Sequence, residues 1–160
     1  MDFVHDQLAT GRKIRVLTIV DTFTRCPPAI EPRFGYRAGD VIEVLERVGH
    51  EHKFPQAIHV DQGSQFVSRE LDLWAYQRGV TLNFSRPRKP TDNAFIEGLN
   101  GKFRAECLNA HWCMSLDDAR AKCEAWRRAY NEVRPHSGIG NKPPASLAKS
   151  VSGTRPTLIE

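Results

Sequence analysis

Ala57-Ile58-His59-Val60-Asp61-Gln62-Gly63 reads as a short apolar strand that ends on a carboxylate and enters a glycine turn. A helix over 69–78 follows, with Leu71, Trp74 and Ala75 on its inward face and Gly79 as its stop, and then a strand over 80–84. Working back from this unit, residues 40–48 form a helix. Val41, Val44, Leu45 and Val48 share one face, Asp40 and Glu43 make a D-x-x-E start, and Gly49 follows. Further upstream lie a weakly alternating strand over 2–8, a turn at Gly11 and a β-branched, apolar strand over 14–21. A third strand over 26–31 contains Pro27 and Pro28, which cannot donate to a ladder, so it belongs at a sheet edge or is broken there. Three strands in succession, followed by strand–helix alternation, specify an α/β fold with a mixed sheet and helices packed on it.

Downstream, Pro87 and Pro90 interrupt a basic loop over 85–92 carrying Arg86, Arg88 and Lys89. A helix over 93–109 follows, with Ile96, Leu99, Phe103 and Cys107 as its apolar stripe. The last long helix covers 115–133. Ser115 and Asp118 form its capping box, and Leu116, Ala119, Cys123, Trp126, Tyr130 and Val133 form its buried face. The chain divides into one domain over 1–134 and a Pro/Gly-rich tail over 135–160.

The 160 residues suffice for a real core, and 40% hydrophobic with 26% charged residues describes an ordinary globular chain. No apolar run approaches a membrane span, and the N-terminus has no signal-peptide pattern. Cys26, Cys107, Cys113 and Cys123 include no C-x-x-C pair and read as reduced thiols, so the expectation is a cytoplasmic bacterial protein. Charge is uneven. Residues 1–84 carry 10 basic and 11 acidic groups (net −1), whereas 85–160 carry 13 and 8 (net +5). A basic half points to an anionic partner such as DNA.

Carboxylates gathered from strand ends and a helix are what two-metal phosphoryl transfer requires. Asp61 ends its strand, and Glu97 sits early on a helix whose polar stripe includes Asn93, Asn100 and Arg104. The separation of 35 residues between Asp61 and Glu97 recurs for Glu70 and Glu106 and for Glu124 and Glu160, so spacing alone selects nothing. A turn-capping Asp61 and a solvated Glu97 paired with Lys102 or Arg104 remain open on these grounds.

In combination, several stretches resemble the catalytic domain of bacterial insertion-sequence transposases of the retroviral-integrase type, with their D, D-35-E triad. They are Met1-Asp2-Phe3-Val4, Val20-Asp21-Thr22-Phe23-Thr24-Arg25, Val60 to Phe66, Lys89 to Gly101, Glu106-Cys107-Leu108-Asn109 and Tyr130 to His136. The resemblance covers about residues 1–147. It implies a ribonuclease-H-like fold with a five-stranded mixed sheet. It further implies that Asp2, Asp61 and Glu97 are catalytic and bind two Mg²⁺ ions, with Mn²⁺ able to substitute, and that Arg104 is a basic position of the family. The implied reaction is DNA strand cleavage and transfer in transposition, and a homo-oligomer is expected in the active complex. Arg86, Arg88, Lys89, Asn93, Lys102 and Arg104 are the expected DNA contacts.

Asp6 and Asp21 compete with Asp2 for the first ligand position. Asp6 lies ~13 Å further along a strand, and Asp21 stands on the second strand, ~4.8 Å more distant from Asp61. Asp2 is therefore preferred and Asp21 reads as a structural turn residue. Gln62 and Gln65 depart from the family's Asn and acidic residue. Met1 immediately precedes Asp2, so the sequence reads as a fragment or truncated gene lacking an upstream DNA-recognition region. The competing functions are a catalytically inactive remnant that binds DNA or another transposase subunit, and a plain ribonuclease H or resolvase; the Lys89–Gly101 stretch argues against the latter.

Overall fold

The computed structural model of the chain describes residues 1–85, 94–150 and 158–159. Strands β1 (Asp2–Gln7) and β2 (Lys13–Ile19) form an antiparallel hairpin, and β3 (Ala29–Arg33) pairs antiparallel on the far side of β2. Helix α1 (Ala38–His52) leads to β4 (Ala57–Val60). After α2 (Arg69–Arg78), β5 (Thr81–Phe84) pairs parallel with β4. Helix α3 (Ala94–Phe103) continues through a π-helical turn, Arg104–Leu108, and α4 (Leu116–Glu132) follows. The chain closes with a short 3₁₀ turn, Ser137–Ile139, then α5 (Pro144–Ser150) and the two-residue strand β6 (Leu158–Ile159), parallel on β4. The strands fall into two three-stranded groups, β1–β2–β3 and β5–β4–β6, and with the long helices and the parallel β4–β5 pair they match the expected mixed α/β architecture.

Strand β2 explains why 14–20 is almost unbroken in its apolarity, because it is buried on both faces. Leu17 and Ile19 join Val41, Val44, Leu45, Val48, Ile58, Leu71 and Trp74 under α1 and α2. Val16, on the opposite face, joins Val4, Ile30, Phe103, Cys107 and Cys123 under α3 and α4. Even-numbered residues of β1 and β2 thus look toward α3, and this parity aims the functional side chains.

The structure departs from the sequence pattern at several points. Strand β3 begins at Ala29 rather than residue 26, and the carbonyl of Pro27 instead accepts bonds from Arg127 (3.3 Å) and Asn131 (3.1 Å). Asp40 lies inside α1, its carboxylate accepting the Arg37 amide at 2.7 Å. Gly49 does not stop α1. It is buried within the helix, where a Cβ would stand inside the Phe54 ring, so close packing outweighs its poor helix propensity. The helix expected over 93–109 widens at Arg104–Leu108, with the Asn109 amide bonded to the Arg104 carbonyl at 2.8 Å. The extra residue in that turn lets Cys107 and Leu108 both face the core. Asp118 caps one residue earlier than expected, on the Met114 amide (2.9 Å), while Ser115 accepts the Asp118 amide as anticipated. Val133, just past the end of α4, is 73% exposed rather than core.

Candidate active site

Asp2 opens β1, paired with Thr18 of β2, and the residue before it is tied to β4. The Met1 amino group donates to the His59 carbonyl at 2.7 Å, the bond expected when Met1 stands opposite Val60 in a parallel ladder. Continued by one step, that register would set Asp2 level with Asp61, and the Asp61 charge does reach the Asp2 carboxylate. Glycine turn chemistry fixes Asp61: its Oδ1 accepts the Gly63 amide at 2.8 Å, and a Cβ on Gly63 would stand 2.9 Å from that oxygen.

The Asp2 carboxylate is held from two further sides. Its Oδ1 accepts the Phe3 amide at 2.7 Å, and its Oδ2 accepts the Asn100 side-chain amide at 2.9 Å. The Asn100 Oδ1 in turn accepts the Thr18 hydroxyl at 2.8 Å. Thr18 is fully buried, one of few polar residues in the core, and it lies on the α3-facing side of β2 directly opposite Asp2. A chain of hydrogen bonds therefore ties β2 to α3 and α3 to the first carboxylate. Burial pushes the Asp2 carboxyl above the usual carboxylate range. The Phe3 amide opposes that shift, the Asp61 charge adds to it, and Asn100 again opposes it.

Glu97 projects from α3 one turn before Asn100 and is exposed, while Ile96, Leu99 and Phe103 seat the helix on the sheet. Asp2 and Asp61 are near enough for their charges to interact, but among the described residues no three His, Cys, Asp or Glu side chains converge as a metal-holding group. Asp21 is the structural turn residue anticipated: its carboxylate accepts the Phe23 amide at 2.9 Å and the Thr24 hydroxyl at 2.7 Å. Arg104 extends from the π-helical turn to the His5 carbonyl of β1 (3.1 Å). Lys102 lines a separate cleft with Phe95, Tyr130 and His136. Arg86, Arg88, Lys89 and Asn93 lie outside the described residues. Gln65, where the family pattern has an acid, accepts from the Arg15 guanidinium at 3.4 Å.

The residue pattern places Asn100 in the polar stripe of α3 but gives it no partner, and it does not single out Thr18. The signal for Thr18 is a single hydroxyl inside the apolar run of 14–20.

The integrase core domain family matches residues 1–90, and a second family of the same description matches residues 78–144. The chain belongs to the integrase core domain family. A protein of insertion element IS407 from Burkholderia multivorans is 47% identical over 148 residues, covering 92% of this chain and 53% of that protein. A protein of insertion element IS476 from Xanthomonas euvesicatoria is 45% identical, covering 92% of this chain and 43% of its own length. This integrase core domain thus spans about half the length of the curated relatives it matches. The magnesium complex of the HTLV-2 integrase catalytic core superposes with a TM-score of 0.68 over 92% of each chain, at 18% identity. That likeness establishes the ribonuclease-H-like fold expected from the resemblance.

The geometry of this integrase core domain makes Asp2 a pH-sensitive group. Its raised native pKa means that the folded state keeps the proton to higher pH than the unfolded chain does. In metal-free buffer this group's contribution to stability is therefore greatest below the ordinary carboxylate pKa of 3.8 and is lost as pH rises through the native value. Carboxyl-carbon NMR titration should place Asp2 above the ordinary range and Asp61→Asn should bring it down. An Asp2 titration unmoved by Asp61→Asn would show that the two carboxylates do not interact.

Proposed function

We propose that this domain is the catalytic core of an insertion-sequence transposase, cutting DNA strands and joining them at phosphodiester bonds with divalent metal. The observation that carries this reading is the Asp2–Asp61 pair, two carboxylates near enough for their charges to interact, the half-buried Asp2 at the start of β1 and Asp61 just past the end of β4. Such a pair is costly for a protein that does not use it.

The donor set suits a hard cation. Mg²⁺ takes oxygen ligands and is commonly held by one or two carboxylates, with waters and substrate phosphates completing its shell. Asp2 and Asp61 would hold it, and Glu97 would join them from α3. The magnesium in the HTLV-2 core structure supports this choice of ion. Two ions in the active complex and Mn²⁺ as a substitute belong to the proposal. When bound, the metal supplies Lewis-acid stabilisation of the attacking and leaving oxygens. Asn100, itself held by the Thr18 hydroxyl, fixes the orientation of the Asp2 carboxylate. Water or a DNA 3′-hydroxyl attacks phosphorus in line, one P–O bond forms as another breaks, and no protein side chain becomes covalently attached.

DNA is the proposed partner. Arg104 spends one N–H group on the His5 carbonyl, and its guanidinium has others to offer a phosphate. We assign exposed Lys102 to the same partner, and from the sequence alone Arg86, Arg88, Lys89 and Asn93 as well. A homo-oligomeric active complex is supported by the trimeric and dimeric forms of the HTLV-2 core. We assign recognition of element ends to the part of the relatives' length that this chain does not span. Among the described residues no helix is long and apolar enough to cross a membrane.

Labelled duplexes with terminal-repeat and scrambled sequences test the activity. Slow, Mg²⁺- or Mn²⁺-dependent nicking of both is expected, falling on the order of 10²–10³-fold in Asp61→Asn and Glu97→Gln. Nicking that survives in both variants would sink the catalytic assignment. For DNA binding, the Lys102→Ala/Arg104→Ala variant should hold short duplexes more weakly, its salt slope shallower by roughly 0.9 for each phosphate it no longer neutralises. An unchanged slope would remove these two residues from the interface.

A further inference from the structure

Two stretches that carry the family resemblance, 20–25 and 130–136, take no part in the carboxylate site, and the fold brings them to one cleft of about 300 Å³. Arg25, Phe95, Lys102, Tyr130 and His136 line it, over the buried side chains of Val20 and Leu99. Helix α3 separates this cleft from Asp2. Asn100 bonds the Asp2 carboxylate, whereas Phe95, Gly98 and Lys102 fall on the opposite side of the helix. The exposed ridge between the two sides carries Ala94, Gly98 and Gly101. Unlike Gly49, neither glycine has a described neighbour within 4 Å of where a Cβ would stand. The helix backbone is therefore open to a chain that crosses from Glu97 to the cleft.

The cleft is cationic and aromatic. Arg25 is aimed by the Asp21 turn: its amide donates to the Asp21 carbonyl at 2.8 Å, and it adopts the left-handed conformation (φ 63°) that L side chains rarely take. Its guanidinium lies over the Phe95 ring, 3.5 Å from the centroid. Among the described residues that line the cleft none is acidic, so the local charge is positive.

His136 adds a different chemistry. Its ring stands 4.5 Å from that of Tyr130 and is hydrogen-bonded to the Tyr130 main chain. Its Nε2 is buried and has no hydrogen-bond partner among the described residues, so Nδ1 is the nitrogen that donates to the Tyr130 carbonyl. Burial, joined by the charges of Lys102 and Arg134, holds the His136 pKa below the ordinary histidine range. The neutral ring then presents Nε2 as an acceptor, and a buried acceptor is costly until a donor reaches it.

We propose that this cleft takes an unpaired nucleotide of a DNA strand, its phosphate beside Lys102 and Arg25, its base against Tyr130, and a base N–H donated to His136 Nε2. A phosphate alone would suit the cations but offers Nε2 no donor. A paired base has its Watson–Crick N–H groups engaged and its faces stacked, whereas an unpaired base presents both. That the strand is DNA rests on the function proposed above.

Fluorescence anisotropy on the full chain, at fixed salt, tests this with three probes: a blunt duplex, the same duplex with a short single-stranded overhang, and that overhang built from abasic nucleotides. The parent should bind the natural overhang about 10-fold more tightly than the abasic one. His136→Phe should abolish that preference, and Arg25→Asn, a residue that tolerates the left-handed conformation, should weaken both overhang complexes while leaving blunt binding unchanged. If His136→Phe does not fold, nitrogen NMR of the parent decides: the His136 Nε2 resonance should move on adding a short single-stranded oligonucleotide and stay in place with inorganic phosphate. Equal binding of natural and abasic overhangs, or equal movement with phosphate, would overturn the nucleotide site. Blunt binding with no gain from any overhang would overturn the cleft alone, whereas failure to bind any duplex would remove DNA as the partner and the cleft proposal with it.

Discussion

The tie between Met1, at the head of the first strand, and β4 is the constraint on which the site depends. One hydrogen bond, from the Met1 amino group to the His59 carbonyl, marks the register, and that register brings Asp2 level with Asp61. Two carboxylates cannot share such a place without cost. Burial and the Asp61 charge both push the Asp2 carboxyl upward, against the hydrogen bonds that favour its charged form. A divalent cation between the two carboxylates would offset both effects, which is the physical basis of the function proposed above.

Helix α3 connects this conflict to the rest of the fold. Its apolar side packs on the sheet through Ile96, Leu99 and Phe103, and its polar side carries both Glu97 and Asn100. Asn100 is engaged with Asp2 and Thr18 at the sheet, whereas Glu97, one turn earlier, remains exposed. The helix is therefore anchored at Asn100 and open at Glu97, the residue that the proposed function makes the third carboxylate.

Much of this is legible in the residue pattern. The apolar run of 14–20 announces a strand covered on both faces, Gly79 adopts the left-handed conformation expected of a helix stop (φ 66°), and the stripe of Ile96, Leu99, Phe103 and Cys107 is buried as its spacing requires. The strand-end position of Asp61 and the turn role of Asp21 can also be read in advance. What escapes are features set by partners remote in sequence. Gly49 looks like a helix stop until the Phe54 ring is seen against it. Thr18 looks like a tolerated hydroxyl until Asn100, far along the chain, accepts from it. β6 carries no strand signal of its own, because two residues hold no periodicity, and its pairing with β4 and the bridge to Asp21 alone define it.

Anomalous diffraction from Mn²⁺-soaked crystals tests the central claim most directly. A manganese peak between the side chains of Asp2 and Asp61, within oxygen-ligand distance of both, is the predicted result. Manganese bound only at other acidic residues, such as Glu70 and Asp72 on α2, with no density at the Asp2–Asp61 pair, would contradict it.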